Sequence, residues 1–81
     1  MKTIANLNNE EIYKWYLNGF ITDEEIGIDQ ASTWCELEDD LVVFTPPDGN
    51  EENFNVSIEV LRTALSLKDT KELTDRGLKA E

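Results

Sequence analysis

Few residues in this chain could carry out covalent chemistry. Its 81 residues include no histidine and one cysteine, Cys35. A serine or cysteine nucleophile needs a neighbouring base, usually histidine, to take its proton. The alternation of side chains around Cys35 predicts a small core residue on the inner face of a strand. The composition therefore predicts a protein that is not an enzyme and that needs no cofactor.

Carboxylates are the one reactive group present in excess. The chain has 18 Asp and Glu against seven Lys and Arg, a net charge of −11. Residues 1–61 hold fourteen acids against Lys2 and Lys14, a local charge of −12 (2 minus 14), whereas residues 62–81 come to +1 (5 minus 4). The charge therefore belongs to the predicted globular part, where it repels itself and opposes folding.

A metal site is the first use to consider for so many carboxylates. Zinc requires several Cys or His ligands, and only Cys35 is present. The acidic stretch 48–52 has too few ligands for a calcium loop, and its glycine comes too early. The stretch 46–50, Pro-Pro-Asp-Gly-Asn, is instead typical of a hairpin turn, with a weak calcium site as the alternative. No metal ligand set is predicted.

The spacing of the acids suits the imitation of nucleic acid. Glu36 and Glu38 are predicted on one strand face, about 7 Å apart. Successive phosphates on a nucleic-acid strand have a comparable spacing. A row of carboxylates at this pitch could occupy a phosphate-binding channel and release the same counterions that DNA releases. The alternative is that the acid serves only solubility.

Local signals predict an α+β domain in the order α-α-β-β-β-α. A first helix begins at Asn8 or Asn9 and ends at Asn18-Gly19. A Thr22–Glu25 capping box predicts a second helix from Asp23 to about Gln30. Ser57 caps a third helix, whose apolar stripe has the following members: Val60, Leu61, Ala64 and Leu65.

Three strands are predicted between the second and third helices. They span residues 33–38, 41–45 and 53–56 and form an antiparallel meander packed on helices in two layers. Pairing Glu38 with Leu41 places Cys35 beside Phe44 on one apolar face. Residues 1–81 are expected to form one domain, with the tail 69–81 partly frayed.

The opposite face of the meander is predicted to combine apolar and acidic side chains. Trp34, Leu41 and Val43 should lie beside Glu36 and Glu38. Such a mixture is typical of a protein-binding surface with an apolar centre and a charged rim. The alternative is that the first or second helix covers these apolar residues.

The charge also predicts which partners the protein avoids. A surface this acidic is repelled by nucleic acid and by anionic membranes, so direct binding to either is not expected. Residues 1–9 lack the apolar stretch of a signal peptide, and one cysteine suits a reducing compartment. We expect a cytoplasmic protein whose partner is basic.

In size, charge and architecture the chain resembles the small acidic inhibitors that phages and mobile elements encode, such as DNA mimics and anti-CRISPR proteins. This resemblance rests on no motif. It implies a stoichiometric inhibitor of a basic host protein that binds nucleic acid: a nuclease, a CRISPR effector, a polymerase or a nucleoid protein. The expected contacts are Asp23, Glu24, Trp34, Glu36, Glu38, Asp39, Asp40, Glu51 and Glu52, with Trp34 as the apolar anchor.

An interaction module of another kind is the alternative function. Such a protein would be structural or regulatory, possibly a homodimer, and would use exposed apolar residues of the meander or of the first helix. The two functions differ in their response to salt. Mimicry weakens steeply as ionic strength rises, whereas an apolar interface responds little.

Overall fold

The computed structural model of the chain describes residues 1–29, 34–47 and 52–80. It confirms a mixed α+β fold with an antiparallel meander. In chain order the elements are β1 (Lys2–Thr3), a first 3₁₀ turn (Ile4–Asn6), α1 (Asn9–Leu17), a second 3₁₀ turn (Glu24–Ile26), β2 (Trp34–Glu38), β3 (Leu41–Thr45), β4 (Phe54–Ser57), α2 (Ile58–Ser66), α3 (Thr70–Asp75) and β5 (Leu78–Lys79).

The meander β2-β3-β4 has the predicted register. Glu38 pairs with Leu41 and Cys35 pairs with Phe44. The last strand begins one residue later than predicted, and Phe44 pairs with Phe54. These two rings stack with their centroids 5.1 Å apart. The central strand therefore supplies the sheet's main contribution to the core, because Val42 and Phe44 are fully buried.

Helix α1 is held at both ends by the predicted local contacts. The Glu11 amide donates to Asn8 Oδ1 (2.8 Å), and the Asn8 amide donates to Glu11 Oε1 (3.1 Å), which is a capping box. Gly19 follows the helix with φ +90°, where a side chain would be strained. The helix buries Ile12 in the core.

The predicted second helix, Asp23 to about Gln30, is wrong. Its capping box forms, with the Thr22 amide donating to Glu25 Oε1 (2.9 Å), but only one 3₁₀ turn follows. Gly27 adopts φ +82°, and the Ile28 amide donates back to the Asp23 carbonyl (2.9 Å). This bond and the Gly27-to-Glu24 bond form a Schellman-type stop, so the start and stop signals lie within seven residues.

Helix α2 packs across the inner face of the sheet. Ser57 caps it as predicted, because its Oγ accepts from the Glu59 amide (3.2 Å). Val60 was predicted in the buried stripe, but 42% of its surface is exposed. The buried apolar residues come from every part of the fold: Ile4, Leu7, Ile12, Phe20, Ile21, Ile26, Val42, Phe44, Ile58, Leu61, Ala64, Leu65, Leu73 and Leu78.

The described part of the tail contains one short helix and one short strand. Asp69 caps α3 by accepting from the Lys71 amide (2.8 Å), and Leu73 is buried. Strand β5 then pairs in parallel with β1, joining Leu78 to Lys2. Residues 70–79 therefore fold back onto the N-terminal strand, a long-range pairing that no local signal in the sequence announces.

Arg62 of α2 holds the N-terminal segment in place. One guanidinium nitrogen, Nη1, donates to the carbonyls of Ile4 (2.7 Å) and Leu7 (2.8 Å), and Nε donates to Glu59 (2.8 Å). Hydrogen bonds from a charged donor are stronger than neutral ones. Arg62 therefore fixes the 3₁₀ turn that brings Ile4 and Leu7 into the core.

A second cation joins the second 3₁₀ turn to the end of α2. Lys68 Nζ lies 2.8 Å from Glu25 Oε1 and 4.9 Å from the centre of the Phe20 ring, while the Arg76 guanidinium lies 4.6 Å from the same ring. Partial burial raises the pKa of Glu25, but hydrogen bonds from Lys68 and Thr22 outweigh it and leave the pKa lowered. The charged form of Glu25 is therefore favoured by folding.

Replacing Arg62 tests the hold on the N-terminal segment. Arg62→Met removes the donors to two carbonyls, and we expect the free energy of unfolding to fall by about 2–3 kcal/mol. Urea unfolding measures the change. Lys71→Met is the matched control, because it removes the same charge from an exposed lysine that forms no ion pair within the described ranges. Equal losses in both variants would contradict the role assigned to Arg62.

The lowered pKa of Glu25 predicts a pH dependence. A carboxylate with a lowered folded-state pKa stabilises the fold above its unfolded pKa, and this contribution is lost as the pH falls. Glu25→Gln should therefore cost about 0.5–1 kcal/mol at neutral pH, and its difference from the wild type should close below about pH 4. Glu24→Gln is the control, and we expect no such loss. Urea unfolding across pH 3–7 measures both, and a loss that did not depend on pH would contradict the assignment.

Candidate functional site

The outer face of the meander presents the acids that the sequence singles out. Along β2 exposed and half-buried residues alternate, so Glu36 and Glu38 both lie on the outer face. Asp39 and Asp40 follow at the turn to β3 and are exposed. We call these four residues the acidic row. Two strand residues advance about 7 Å, so the row runs about 10 Å along one edge of the sheet.

Trp34 stands at the other end of the same strand. It pairs with Thr45, and 64% of its surface is exposed. Leu41 and Val43 lie on this face between the edge strands and are half-buried. Helix α2 packs on the opposite face of the meander. The predicted alternative is a cover by the first or second helix; among the described residues Trp34 is exposed, whereas Leu41 and Val43 are half-buried.

The acidic row has no cationic partner among residues 1–29, 34–47 and 52–80. The ion pairs found there use Glu10, Glu11, Glu25 and Glu59 instead. Their partners are, in the same order, Lys14, Lys2, Lys68 and Arg62. None of these eight residues lies on the meander. Ion pairs among the described residues therefore do not neutralise the carboxylates of the row.

Helix α1 fixes the position of the strand that carries the row. Tyr13 Oη donates to the Cys35 carbonyl (2.9 Å), and Asn9 Nδ2 donates to the Asp39 carbonyl (3.2 Å). Burial raises the pKa of Tyr13 to about 12, helped by its contact with Cys35, so the hydroxyl keeps its proton. These bonds occupy carbonyls at the open edge of β2 and set the row beside the start of α1.

Asp23 and Glu24 lie apart from the row. Tyr16 Oη donates to Asp23, so Asp23 sits near the end of α1, whereas Asp39 sits near its start at Asn9. The seven helical residues between these contacts span about 10 Å. Burial raises the pKa of Tyr16 first, and the bond to Asp23 raises it further. The sequence grouped these acids by type, and the fold divides them.

Glu52 lies at the far end of the sheet. Because Phe44 pairs with Phe54, the segment before β4 lies at the opposite end from the Asp39–Asp40 turn. Glu52 is exposed there, at the end of the sheet where Trp34 begins β2. Glu51 and the predicted turn residues 48–50 lie outside the described residues.

The turn that ends the row holds a strained residue. Asp39 has φ +55°, the one positive value of a non-glycine residue in the described part of the chain. Aspartate tolerates this conformation better than most residues, but glycine adopts it freely. Asp39 also has carboxylates on both sides in sequence, at Glu38 and Asp40. Both its backbone and its charge therefore count against stability.

One polar residue of this face was missed at the sequence level. Asn55 on β4 is exposed and pairs with Val43, so it borders the row from the other side of β3. The alternation of side chains along β4, together with the pairing of β3 and β4, is the sequence pattern that places Asn55 on this face. The full face therefore runs from Glu36 across Val43 to Asn55.

Metal binding and thiol chemistry are the other uses to consider for the described residues. Within the described ranges no three or more His, Cys, Asp or Glu side chains converge to hold a metal ion. Cys35 is half-buried, with its sulfur 3.6 Å from Tyr13 Oη. No helix among the described residues is long and apolar enough to cross a membrane. The arrangement presents charge and one aromatic ring, which suit binding.

Comparison with protein-family models, with curated proteins and with solved structures found no match to this chain. The function is therefore inferred from the surface itself.

The strained turn yields a prediction about stability. Asp39→Gly relieves the positive φ, removes one charge from the row and keeps the carbonyl that accepts from Asn9. We expect a gain of about 0.5–1 kcal/mol in the free energy of unfolding. Asp40→Gly is the control, because it removes the same charge without a positive φ and should gain nothing. Urea unfolding of both variants measures the difference, and equal effects would show that backbone strain at Asp39 is negligible.

Proposed function

We propose that this protein is a non-catalytic inhibitor. It binds a basic nucleic-acid-binding protein through the acidic row and Trp34, and it blocks the surface that would hold phosphates. The observation that carries this proposal is the division of charge. Four carboxylates of the helical side are paired within the protein, whereas none of the four in the row has a cation among the described residues.

Unpaired charge of this kind favours fast association with a basic groove. A negative field concentrated on one face can raise an association rate by about 10- to 1000-fold at low salt. Once the proteins meet, carboxylates can accept paired hydrogen bonds from arginine, as phosphates do. The row thus offers a partner's Arg and Lys side chains the same kind of contact as a nucleic-acid backbone.

Trp34 supplies a contact that charge alone cannot. An exposed tryptophan at the centre of an interface buries a large area at a small cost in conformational entropy, and it attracts arginine over its ring. Its place on the same strand as Glu36 and Glu38 lets one partner surface touch both. Trp34 therefore acts as the apolar anchor, and the carboxylates make binding selective for a basic partner.

The class of partner follows from this chemistry. A nuclease, a CRISPR effector, a polymerase or a nucleoid protein presents the clustered Arg and Lys that such a row would bind. All of these work in the cytoplasm of a bacterial cell, where a phage or mobile-element inhibitor acts. The role proposed here is occlusion by imitation of DNA, at one inhibitor for each binding site.

Two variants of equal charge test the proposal. Glu36→Gln/Glu38→Gln/Asp40→Asn removes three charges from the row, and Asp29→Asn/Glu72→Gln/Asp75→Asn removes three that lie elsewhere. Both variants carry a net charge of −8 (−11 plus 3). If local contacts matter, the row variant loses partner binding by about 100-fold or more and the control loses much less, because charged interface pairs contribute about 1.5–7 kcal/mol.

The measurement is capture from a bacterial lysate on immobilised protein, followed by titration of the identified partner. We expect capture at about 50 mM salt, release at about 500 mM salt and displacement by duplex DNA. Trp34→Ala should weaken binding without changing its salt dependence. Capture that survives high salt and excess DNA, or equal losses in the two triple variants, would overturn the proposal and favour the apolar interaction module.

A further inference from the structure

Helix α2 carries an apolar surface that the proposed function does not use. Val60, Ala64 and Leu67 are spaced at i, i+4 and i+7, so they lie on one side of the helix. Val60 is 42% exposed and Leu67 is 80% exposed. With Thr63 they line a groove of about 320 Å³ between α2 and Glu25 of the second 3₁₀ turn. We call these four residues the α2 seam.

The rim of the seam is electrically neutral, which sets it apart from the acidic row. The two carboxylates that border the groove are Glu25 and Glu59. Glu25 is paired with Lys68 and Glu59 with Arg62, each at 2.8 Å. The seam also belongs mostly to residues 62–81, whose net charge is +1 (5 minus 4). Two copies of this acidic chain would therefore repel each other least when they meet at this surface.

The seam is also complementary to itself. In an antiparallel pair of α2 helices related by a two-fold axis between Thr63 and Ala64, Val60 of one copy faces Leu67 of the other. Ala64 at the centre is 6% exposed and belongs mainly to the core, so the exposed contacts come from Val60, Thr63 and Leu67. An isologous contact of this kind uses every residue twice.

We infer that the α2 seam is a self-association surface, through which two copies of the chain form a weak antiparallel dimer. The seam spans about 10 Å of helix and buries less area than a standard interface, so the dissociation constant should lie near 0.1–1 mM, about 4–5.5 kcal/mol. The meanders face away from the axis. The dimer would present two acidic rows, one on each side.

The charge of the chain predicts an unusual salt response. Two copies carrying −11 each repel one another, and salt screens this repulsion: the Debye length falls from about 10 Å at 0.1 M to about 3 Å at 1 M. Self-association should therefore strengthen with salt, whereas binding to a basic partner weakens. Because the two salt responses have opposite signs, the experiment distinguishes a failure of the dimer from a failure of the proposed function.

Sedimentation equilibrium of the full chain at about 0.1 M and 1 M NaCl tests the inference. We expect the dimer fraction to rise with salt. Leu67→Gln should weaken the dimer by about tenfold or more, because the pair buries two copies of Leu67, one from each chain. Leu17→Gln is the matched control, since Leu17 is an exposed leucine of α1 (56%) and lies outside the seam. It should leave the dimer unchanged.

A cross-linking experiment tests the antiparallel arrangement. In a Cys35→Ser background, a mixture of the Val60→Cys and Leu67→Cys proteins should form a mixed disulfide under mild oxidation. Leu17→Cys mixed with Val60→Cys should not. A chain that stays monomeric at about 1 mM in high salt, a dimer that weakens with salt, or equal effects of the Leu67 and Leu17 changes would each overturn the inference.

Discussion

Self-repulsion is the constraint on which the rest of this structure depends. The chain carries −11 and has seven cations to offset it, so the position of each cation matters. Arg62 donates hydrogen bonds to the Ile4 and Leu7 carbonyls and to Glu59. Lys68 joins Glu25 to the Phe20 ring. These cations hold together the segments that surround the helices, whereas the charged residues described on the sheet's outer face are acids.

This division of charge explains how one small chain can present two different surfaces. Where carboxylates are paired, as around α2, the surface becomes neutral and apolar side chains such as Leu67 can stay exposed without attracting a charged partner. Where they are unpaired, as along β2, the surface acts at a distance through its field. We therefore expect the two surfaces to respond to salt in opposite directions. Salt screens the repulsion between two copies of the chain at the α2 seam, and it screens the attraction between the acidic row and a basic partner.

The sequence predicts those features that depend on neighbours in the chain. The two-residue Asp39–Asp40 turn and the alternation of β2 and β3 determine the register, and hence the face of Glu36 and Glu38. The sequence does not predict features that depend on competing local signals or on contacts between distant segments of the chain. The second helix fails because Gly27 provides a stop before the capping box can propagate a helix. Strands β1 and β5 pair although they lie about 75 positions apart in the chain. Each strand has two residues, which is too short to show a periodic pattern in the sequence.

The same distinction governs the candidate site. Asp23 and Glu24 cannot be assigned to the row or excluded from it by counting charges, because their place depends on the direction in which α1 crosses the sheet. The bonds of Tyr13 and Asn9 to β2 set that direction. The row keeps Asp39 at a positive φ between two other acids, although glycine would suit the turn better. Carboxylates that persist here despite backbone strain and repulsion support the proposal of a basic partner.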